Sequence, residues 1–151
     1  MQFIEHLNIS HTKIVNLDPI KNLNNLRSLK FTCAPVNNIS ALRNCTNLQT
    51  LEFGCSTSTI SDISVLTDLI NLKHLNISSN PITDLNPLRN LTQLESLYLS
   101  RTKISDLEPI SELTKIKYLW LHETNIRSLS PPITSVDPIL NLPHLNSHWM
   151  C

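Results

Sequence analysis

A repeat of about 22 residues constrains the fold of this chain more than any other feature. Pairs of apolar residues, separated by one position, recur at spacings of 22, 22, 24, 22 and 22 residues. The pairs are Leu7/Ile9, Leu29/Phe31, Leu51/Phe53, Leu75/Ile77, Leu97/Leu99 and Leu119/Leu121. Two further apolar positions, which begin at Ile14 and Leu17, keep the same period. Such a period indicates a solenoid, because a single unit of this size buries its apolar face only by stacking on its neighbours.

Each unit joins a strand pattern to a helical pattern, as residues 72–93 (LKHLNISSNPITDLNPLRNLTQ) show. The first part, LxxLxL, alternates as a short strand with one buried face does. The second part has apolar residues at Leu85, Leu88 and Leu91, a spacing that suits a short helical turn. We expect polar residues of one register to cap these turns by accepting a backbone N–H. They are Asp18, Ser40, Ser64, Asn86 and Asp137. The predicted fold class is α/β, with a parallel sheet on one side and short helical turns on the other.

Composition and charge exclude several classes of protein. The chain contains one glycine, Gly54, so it has no glycine-rich loop that could hold a phosphate or a dinucleotide. It carries 12 basic and 12 acidic residues, so general electrostatic attraction to nucleic acid or to an anionic membrane is not expected. The sequence shows no secretory signal and no apolar run of membrane-spanning length. We therefore expect an intracellular, cytoplasmic protein without a cofactor.

The unit LxxLxLxxxxIxxLxPLxxLxx resembles the leucine-rich repeat family, and most closely its 22-residue class, which includes internalins and the phosphatase-one regulatory subunit. The resemblance covers residues 4 to about 145. It implies a solenoid with a concave parallel sheet that binds another protein. We expect one domain, 1–151, with repeats at about 4–25, 26–47, 48–71, 72–93, 94–115 and 116–144 and a partial repeat at 145–151.

The turn after each strand departs from the family pattern. The asparagine usual at this position is present only at Asn80, whereas Thr12, Thr102 and Thr124 replace it in three other repeats. A threonine hydroxyl can still bond to the turn backbone, but Ala34 in the second repeat cannot.

Two insertions and the two terminal repeats also depart from the family pattern. The third repeat has two extra residues within 55–59, and the sixth contains a second copy of its outer segment within 126–139. Neither the first repeat nor the last has a polar capping element, so we expect both ends to expose apolar coil faces.

Aromatic residues give the clearest indication of a binding site. The chain has two Trp and two Tyr. Three of these four, Tyr98, Tyr118 and Trp120, occupy outward-facing strand positions in adjacent repeats, and Trp149 takes an equivalent position in the partial seventh. Large aromatic residues on an exposed sheet are typical of binding hot spots. The predicted partner-binding residues are Tyr98, Tyr118, Trp120, Arg101, His122, His74 and Asn76. Alternatively, the aromatic residues cover an uncapped end of the solenoid.

The cysteines and histidines are expected to have no metal or catalytic role. Cys33 and Cys55 fall in one column of adjacent coils, with Cα atoms about 5 Å apart, within disulfide range. In a reducing compartment we expect two free thiols there, and Cys45 as a core residue. The histidine pairs lack the spacing or the third ligand of a zinc site. They are His6 with His74 and His144 with His148.

The sequence contains no arrangement that activates a nucleophile and no paired carboxylates for acid–base catalysis. We therefore predict a non-catalytic module that binds another protein through its sheet face. The alternative is a structural array that associates with further copies of itself through its uncapped ends.

Overall fold

A computed structural model describes residues 3–55 and 59–128 of the chain. Within them, six short strands form one parallel sheet in sequence order. The strands are β1 (His6–Asn8), β2 (Ser28–Lys30), β3 (Thr50–Glu52), β4 (His74–Asn76), β5 (Ser96–Tyr98) and β6 (Tyr118–Trp120). The register pairs each predicted column, from Leu7 opposite Leu29 to Tyr98 opposite Trp120. The predicted α/β solenoid and its columns are therefore confirmed.

Short 3₁₀ helices form the other side of each coil. They span Asp18–Ile20, Ser40–Asn44, Ser64–Asp68, Asn86–Leu88, Glu108–Ile110 and Asn125–Ser128. Between them and the sheet lies one continuous apolar core. Cys45 is buried in this core and takes the place that Leu69 and Leu91 take in later coils, which confirms it as a core residue. Burial also raises the pKa of its thiol.

The cap prediction is wrong by two residues. Ser40 and Ser64 begin their 3₁₀ helices rather than precede them, and no side chain at the residue before either helix makes a capping bond. Instead, the N–H of each bonds to a side-chain oxygen two positions earlier, Asn38 Oδ1 at 2.8 Å and Asp62 Oδ1 at 2.9 Å. The same bond forms from Asp18, Asn86 and Glu108 to Asn16, Asp84 and Asp106. The residue directly before each of these five helices is a buried Leu or Ile and cannot cap, so an Asx turn opens the helix.

The turns after the strands behave as their side chains predict. Thr12, Thr102 and Thr124 each donate a hydroxyl hydrogen bond to the carbonyl three residues earlier, at 2.7–2.9 Å. Asn80 donates to the equivalent carbonyl, of Ile77, at 3.0 Å. This confirms that threonine replaces asparagine in these turns.

The first coil exposes apolar side chains at positions that later coils bury. Ile14 is 37% exposed and Leu7 is only partly buried, whereas their counterparts in the second coil, Val36 and Leu29, are buried. The predictions for the other end, the duplicated segment beyond 128 and residues 145–151, lie outside the described residues, as do residues 56–58 of the insertion.

Candidate functional site

Two aromatic side chains stack on the exposed sheet face. Tyr98 and Trp120 occupy the same position on β5 and β6, and their rings lie 6.1 Å apart between centroids with planes 10° from parallel. Trp120 remains 45% exposed. Because their strands are neighbours in the ladder, each ring restricts the rotamers of the other. The pair is therefore a preorganised apolar surface that also carries a phenol O–H and an indole N–H.

The column beside this pair contains His74, Ser96 and Tyr118. Tyr118 is 50% exposed, whereas Ser96 is only 5% exposed. Ser96 Oγ lies 3.1 Å from His74 Nδ1, a hydrogen bond that joins β4 to β5. His74 and Tyr118 are thus on the exposed face as predicted, with a buried serine between them.

Charged side chains border the aromatic pair. Arg101 Nε donates a hydrogen bond of 2.8 Å to Glu123 Oε2, and His122 Nε2 lies 2.9 Å from Glu123 Oε1. The hydrogen bond from Arg101 is the main reason that the pKa of Glu123 lies below its ordinary value. All three side chains are exposed, so the group is a polar rim rather than a buried charge.

Asn76 lies on β4, directly opposite Tyr98 in the same column. Its Oδ1 accepts a hydrogen bond of 3.1 Å from the N–H of Ser78, which fixes the amide over the end of β4. Together these residues define the aromatic surface of the sheet face: Tyr98, Tyr118, Trp120, Arg101, His122, His74 and Asn76. The structure places all seven on three adjacent coils.

On β2 and β3 the same face carries charged side chains instead of aromatic ones. Lys30 Nζ lies 2.8 Å from Glu52 Oε1 in the column that further along contains the aromatic pair. This ion pair was not predicted. Opposite charges at equivalent positions of consecutive repeats were the signal, and the same signal marks Lys117 with Glu95, 2.7 Å apart. Exposed pairs of this kind contribute little to stability and mainly keep this face polar.

Cys33 and Cys55 are joined by a disulfide, with Cα atoms 4.9 Å apart. The expectation of two free thiols is therefore wrong. The column geometry brings them together, as it does other equivalent residues, and the assumption of a reducing compartment was what excluded the bond. In the same two repeats, the ring of Phe31 stacks on that of Phe53 in the core, with ring centroids 5.0 Å apart.

Within the described part of the chain, no three His, Cys, Asp or Glu side chains come together in a way that could hold a metal ion. His6 and His74 lie on β1 and β4, with two strands between them. His144, His148 and Trp149 lie outside the described residues. Among residues 3–55 and 59–128, no helix has the length and apolarity that crossing a bilayer requires.

A family model described as leucine-rich repeats (2 copies) matches residues 46–90 and 92–132. These two segments make up more than half of the chain, which therefore belongs to the leucine-rich repeat family. A comparison with curated protein sequences gave no significant match.

The chain is also similar to solved internalins of Listeria monocytogenes. Internalin InlF is 34% identical with a TM-score of 0.81, over 92% of this chain and 39% of that one. Internalin C2 is 29% identical with a TM-score of 0.76, over 90% of this chain and 56% of that one. The functional domain of InlJ, which includes a cysteine ladder, is 25% identical with a TM-score of 0.67, over 80% and 26%. The chain thus spans less than two thirds of the length of each of these proteins.

Proposed function

We propose that this chain is a non-catalytic module that binds another protein through the aromatic surface of its sheet face. The observation that carries the proposal is the exposure of Tyr118 (50%) and Trp120 (45%) on a sheet whose other outward residues are small, polar or paired. Family membership and the internalin neighbours support a protein-interaction role in general. The choice of face and residues rests on the aromatic surface alone.

The geometry suits a hot spot. Tyr and Trp supply most of the binding energy in many interfaces because they bury a large area with few rotatable bonds. Stacking of Tyr98 on Trp120 lowers the entropy cost further, since the rings are already ordered. The rim formed by Arg101, Glu123 and His122 would exclude water around the rings when a partner docks. Replacing Trp120 by Ala is expected to weaken binding by about 2 kcal/mol or more.

Affinity capture from cell lysate tests this proposal. The bait is the wild-type chain beside a Tyr98→Ala/Trp120→Ala variant. Ile70→Ala is the matched control, because Ile70 is also exposed (54%) but lies outside the strands, just after a 3₁₀ helix. We expect a protein that the wild type and Ile70→Ala retain and the double variant loses. A partner held equally by all three folded baits would remove the site assignment.

Self-association is a second candidate, favoured by the apolar surface of the first coil. Leu7 and Ile14 are less buried than their counterparts Leu29 and Val36, which lie between stacked coils. Stacking of a second copy on this coil would bury them. Sedimentation velocity over a wide concentration range tests this candidate, with Ile14→Ser as the test variant and Ile70→Ser as the control. Association that only the first variant abolishes supports this candidate, and a monomer at every concentration rejects it.

The cellular location is part of the same proposal. The sequence led us to expect an intracellular protein, whereas the Cys33–Cys55 disulfide is of a kind that persists mainly in oxidising compartments. Cell fractionation combined with alkylation of free thiols separates the two cases. A cytoplasmic chain with both cysteines alkylated fits the intracellular expectation, and a chain outside the cytoplasm with the disulfide intact contradicts it.

A further inference from the structure

The turn after β2 lacks the side-chain hydrogen bond that closes the equivalent turns. In four other coils, a Thr or Asn side chain donates to the carbonyl three residues earlier. In the second coil this position is Ala34, whose backbone N–H reaches Phe31 O at 3.1 Å but whose methyl group donates nothing. The corresponding position of the third coil lies outside the described residues.

The residue just before Ala34 has a costly backbone conformation. Cys33 has a φ of 55°, in the left-handed region that residues with a Cβ adopt at an energetic cost. His11, Ser79, Arg101 and Glu123 share this conformation at the equivalent position of their coils. Each of those four is followed by a Thr or Asn that closes the turn. In the second coil, the disulfide to Cys55 is the bond that can take over this role.

We propose that Cys33 and Cys55 form a redox-dependent lock on the turn after β2. In the oxidised state the disulfide substitutes for the missing side-chain hydrogen bond and ties this turn to the end of β3. In the reduced state the turn has only its backbone bond and opens more often. This inference does not depend on the proposed partner site, which lies on β4 to β6.

A small disulfide such as glutathione disulfide supplies the oxidant. One cysteine thiolate attacks it, forms a mixed disulfide and releases one glutathione thiolate. The second cysteine thiolate then attacks the protein sulfur of the mixed disulfide and releases the other glutathione. In total, two protein thiols and one glutathione disulfide give one protein disulfide and two glutathione molecules, and excess glutathione reverses the reaction.

The third cysteine provides an internal control. Cys33 and Cys55 are partly exposed and open to exchange, whereas Cys45 is fully buried in the core. Reagents that reach the pair are therefore not expected to modify Cys45 in the folded chain.

Reduction is expected to act locally. The coils of β2 and β3 are also joined by the buried stack of Phe31 on Phe53 and by the ion pair between Lys30 and Glu52. Neither contact involves sulfur, so both remain after the disulfide is broken. We therefore expect the turn to loosen while the core and the sheet stay intact.

Hydrogen exchange of single amides tests the lock in the full chain. The Ala34 amide is compared between the oxidised protein and the protein reduced with a phosphine. The Thr102 amide, which bonds to Leu99 O in the equivalent turn of β5, is the control. We expect reduction to speed exchange at Ala34 by about tenfold, the effect of one hydrogen bond, and to leave Thr102 unchanged. Equal exchange at Ala34 in both states, or an equal change at both amides, would overturn the proposal.

Two variants make the test specific. Ala34→Thr restores the missing hydroxyl, so its residue 34 amide is expected to exchange slowly with or without the disulfide. Cys33→Ser is expected to exchange like the reduced wild type under both conditions. If Ala34→Thr is as sensitive to reduction as the wild type, the disulfide does not substitute for the turn bond and the proposal fails.

The redox step has its own readout. The folded chain is equilibrated in buffers of varying glutathione and glutathione disulfide, then alkylated and analysed by mass spectrometry. We expect Cys33 and Cys55 to become protected together as the buffer becomes more oxidising, with Cys45 unlabelled until the chain is unfolded. If alkylation of Cys33 and Cys55 does not change with the ratio of glutathione to glutathione disulfide, the disulfide is not under reversible redox control.

Discussion

The ring of Tyr98 lies nearly parallel to that of Trp120, which is 22 residues later in the sequence and one strand away in the sheet. The relationship is a direct product of the repeat. Parallel strands in register place equivalent positions of consecutive coils about 4.8 Å apart, so like residues stack and unlike charges pair. Phe31 and Phe53 show the same geometry inside the core. Only the pair on the exposed face is available to a partner.

The aromatic pair is expected to matter less for stability than the leucine beside it. Trp120→Ala removes a partly exposed stack and should lower the free energy of unfolding by about 0.5–1.5 kcal/mol. Leu119→Ala empties a core position that is 2% exposed and should cost about 2–5 kcal/mol. Urea denaturation compares the two variants. An equal loss would mean that Trp120 contributes to stability as a core residue does, rather than as an exposed contact.

Gly54 is expected to tolerate no side chain. Its φ is 145°, and a Cβ at this position would lie 2.0 Å from the backbone oxygen of Ser78. Gly54→Ala should therefore destabilise the chain by about 3 kcal/mol through overpacking and backbone strain. Ser100→Ala, at the equivalent position after β5, is the control and should change the stability by about 0.5 kcal/mol or less. Equal urea midpoints for the two variants would show that the backbone after β3 shifts to accommodate the added Cβ without loss of stability.

Asn80 is expected to be the most sensitive of the turn-closing residues. It is 1% exposed, and its Nδ2 donates to both Ile77 O and Ser78 O. Asn80→Ala leaves buried carbonyl oxygens unsatisfied and should cost about 1–3 kcal/mol. Asn80→Thr places there the residue that Thr102 provides in the next coil and should recover much of that loss. If the Thr variant unfolds at the same urea concentration as the Ala variant, the two residue types are not equivalent in this turn.

Asp62 is expected to make stability depend on pH. The backbone hydrogen bond from Ser64 holds the pKa of Asp62 below its ordinary value. Its contribution is therefore fully present above the unfolded pKa of about 3.9 and is lost as the pH falls through the folded pKa. Asp62→Asn keeps the acceptor, as Asn38 does in the second coil, but does not titrate.

The measurement is urea denaturation of both proteins from neutral to acid pH. We expect the wild type to lose stability relative to Asp62→Asn as the solution is acidified. A difference between the two that stays constant over this range would exclude Asp62 as a contributor to acid sensitivity.

Much of the fold could be predicted from sequence because the repeat fixes the register. Once Leu7, Leu29 and Leu51 are aligned, the period alone determines which residues are neighbours across the sheet. The same alignment predicts that Thr102 closes its turn and that Cys45 is in the core. These predictions depend on geometry that every coil shares.

Other features could not be predicted, because they depend on which of two neighbouring residues forms a bond or on the redox conditions around the protein. Asp62 and Ser64 are both capable of capping, and only the structure shows that the buried residue between them shifts this role to Asp62. Whether the disulfide forms depends on the redox environment, and the column geometry says nothing about that environment. The binding role of Trp120 also stays a prediction, since the repeat defines the scaffold and not its ligand.

Photo-cross-linking shows directly whether a partner docks on the sheet face. A photoreactive phenylalanine analogue replaces Trp120 in one protein and Ile70 in another, two sites of similar exposure (45% and 54%) on different parts of each coil. Both are irradiated in lysate, and cross-linked products are identified by mass spectrometry. We expect a partner that is cross-linked from position 120 and not from position 70. A partner cross-linked only from position 70 would contradict this expectation.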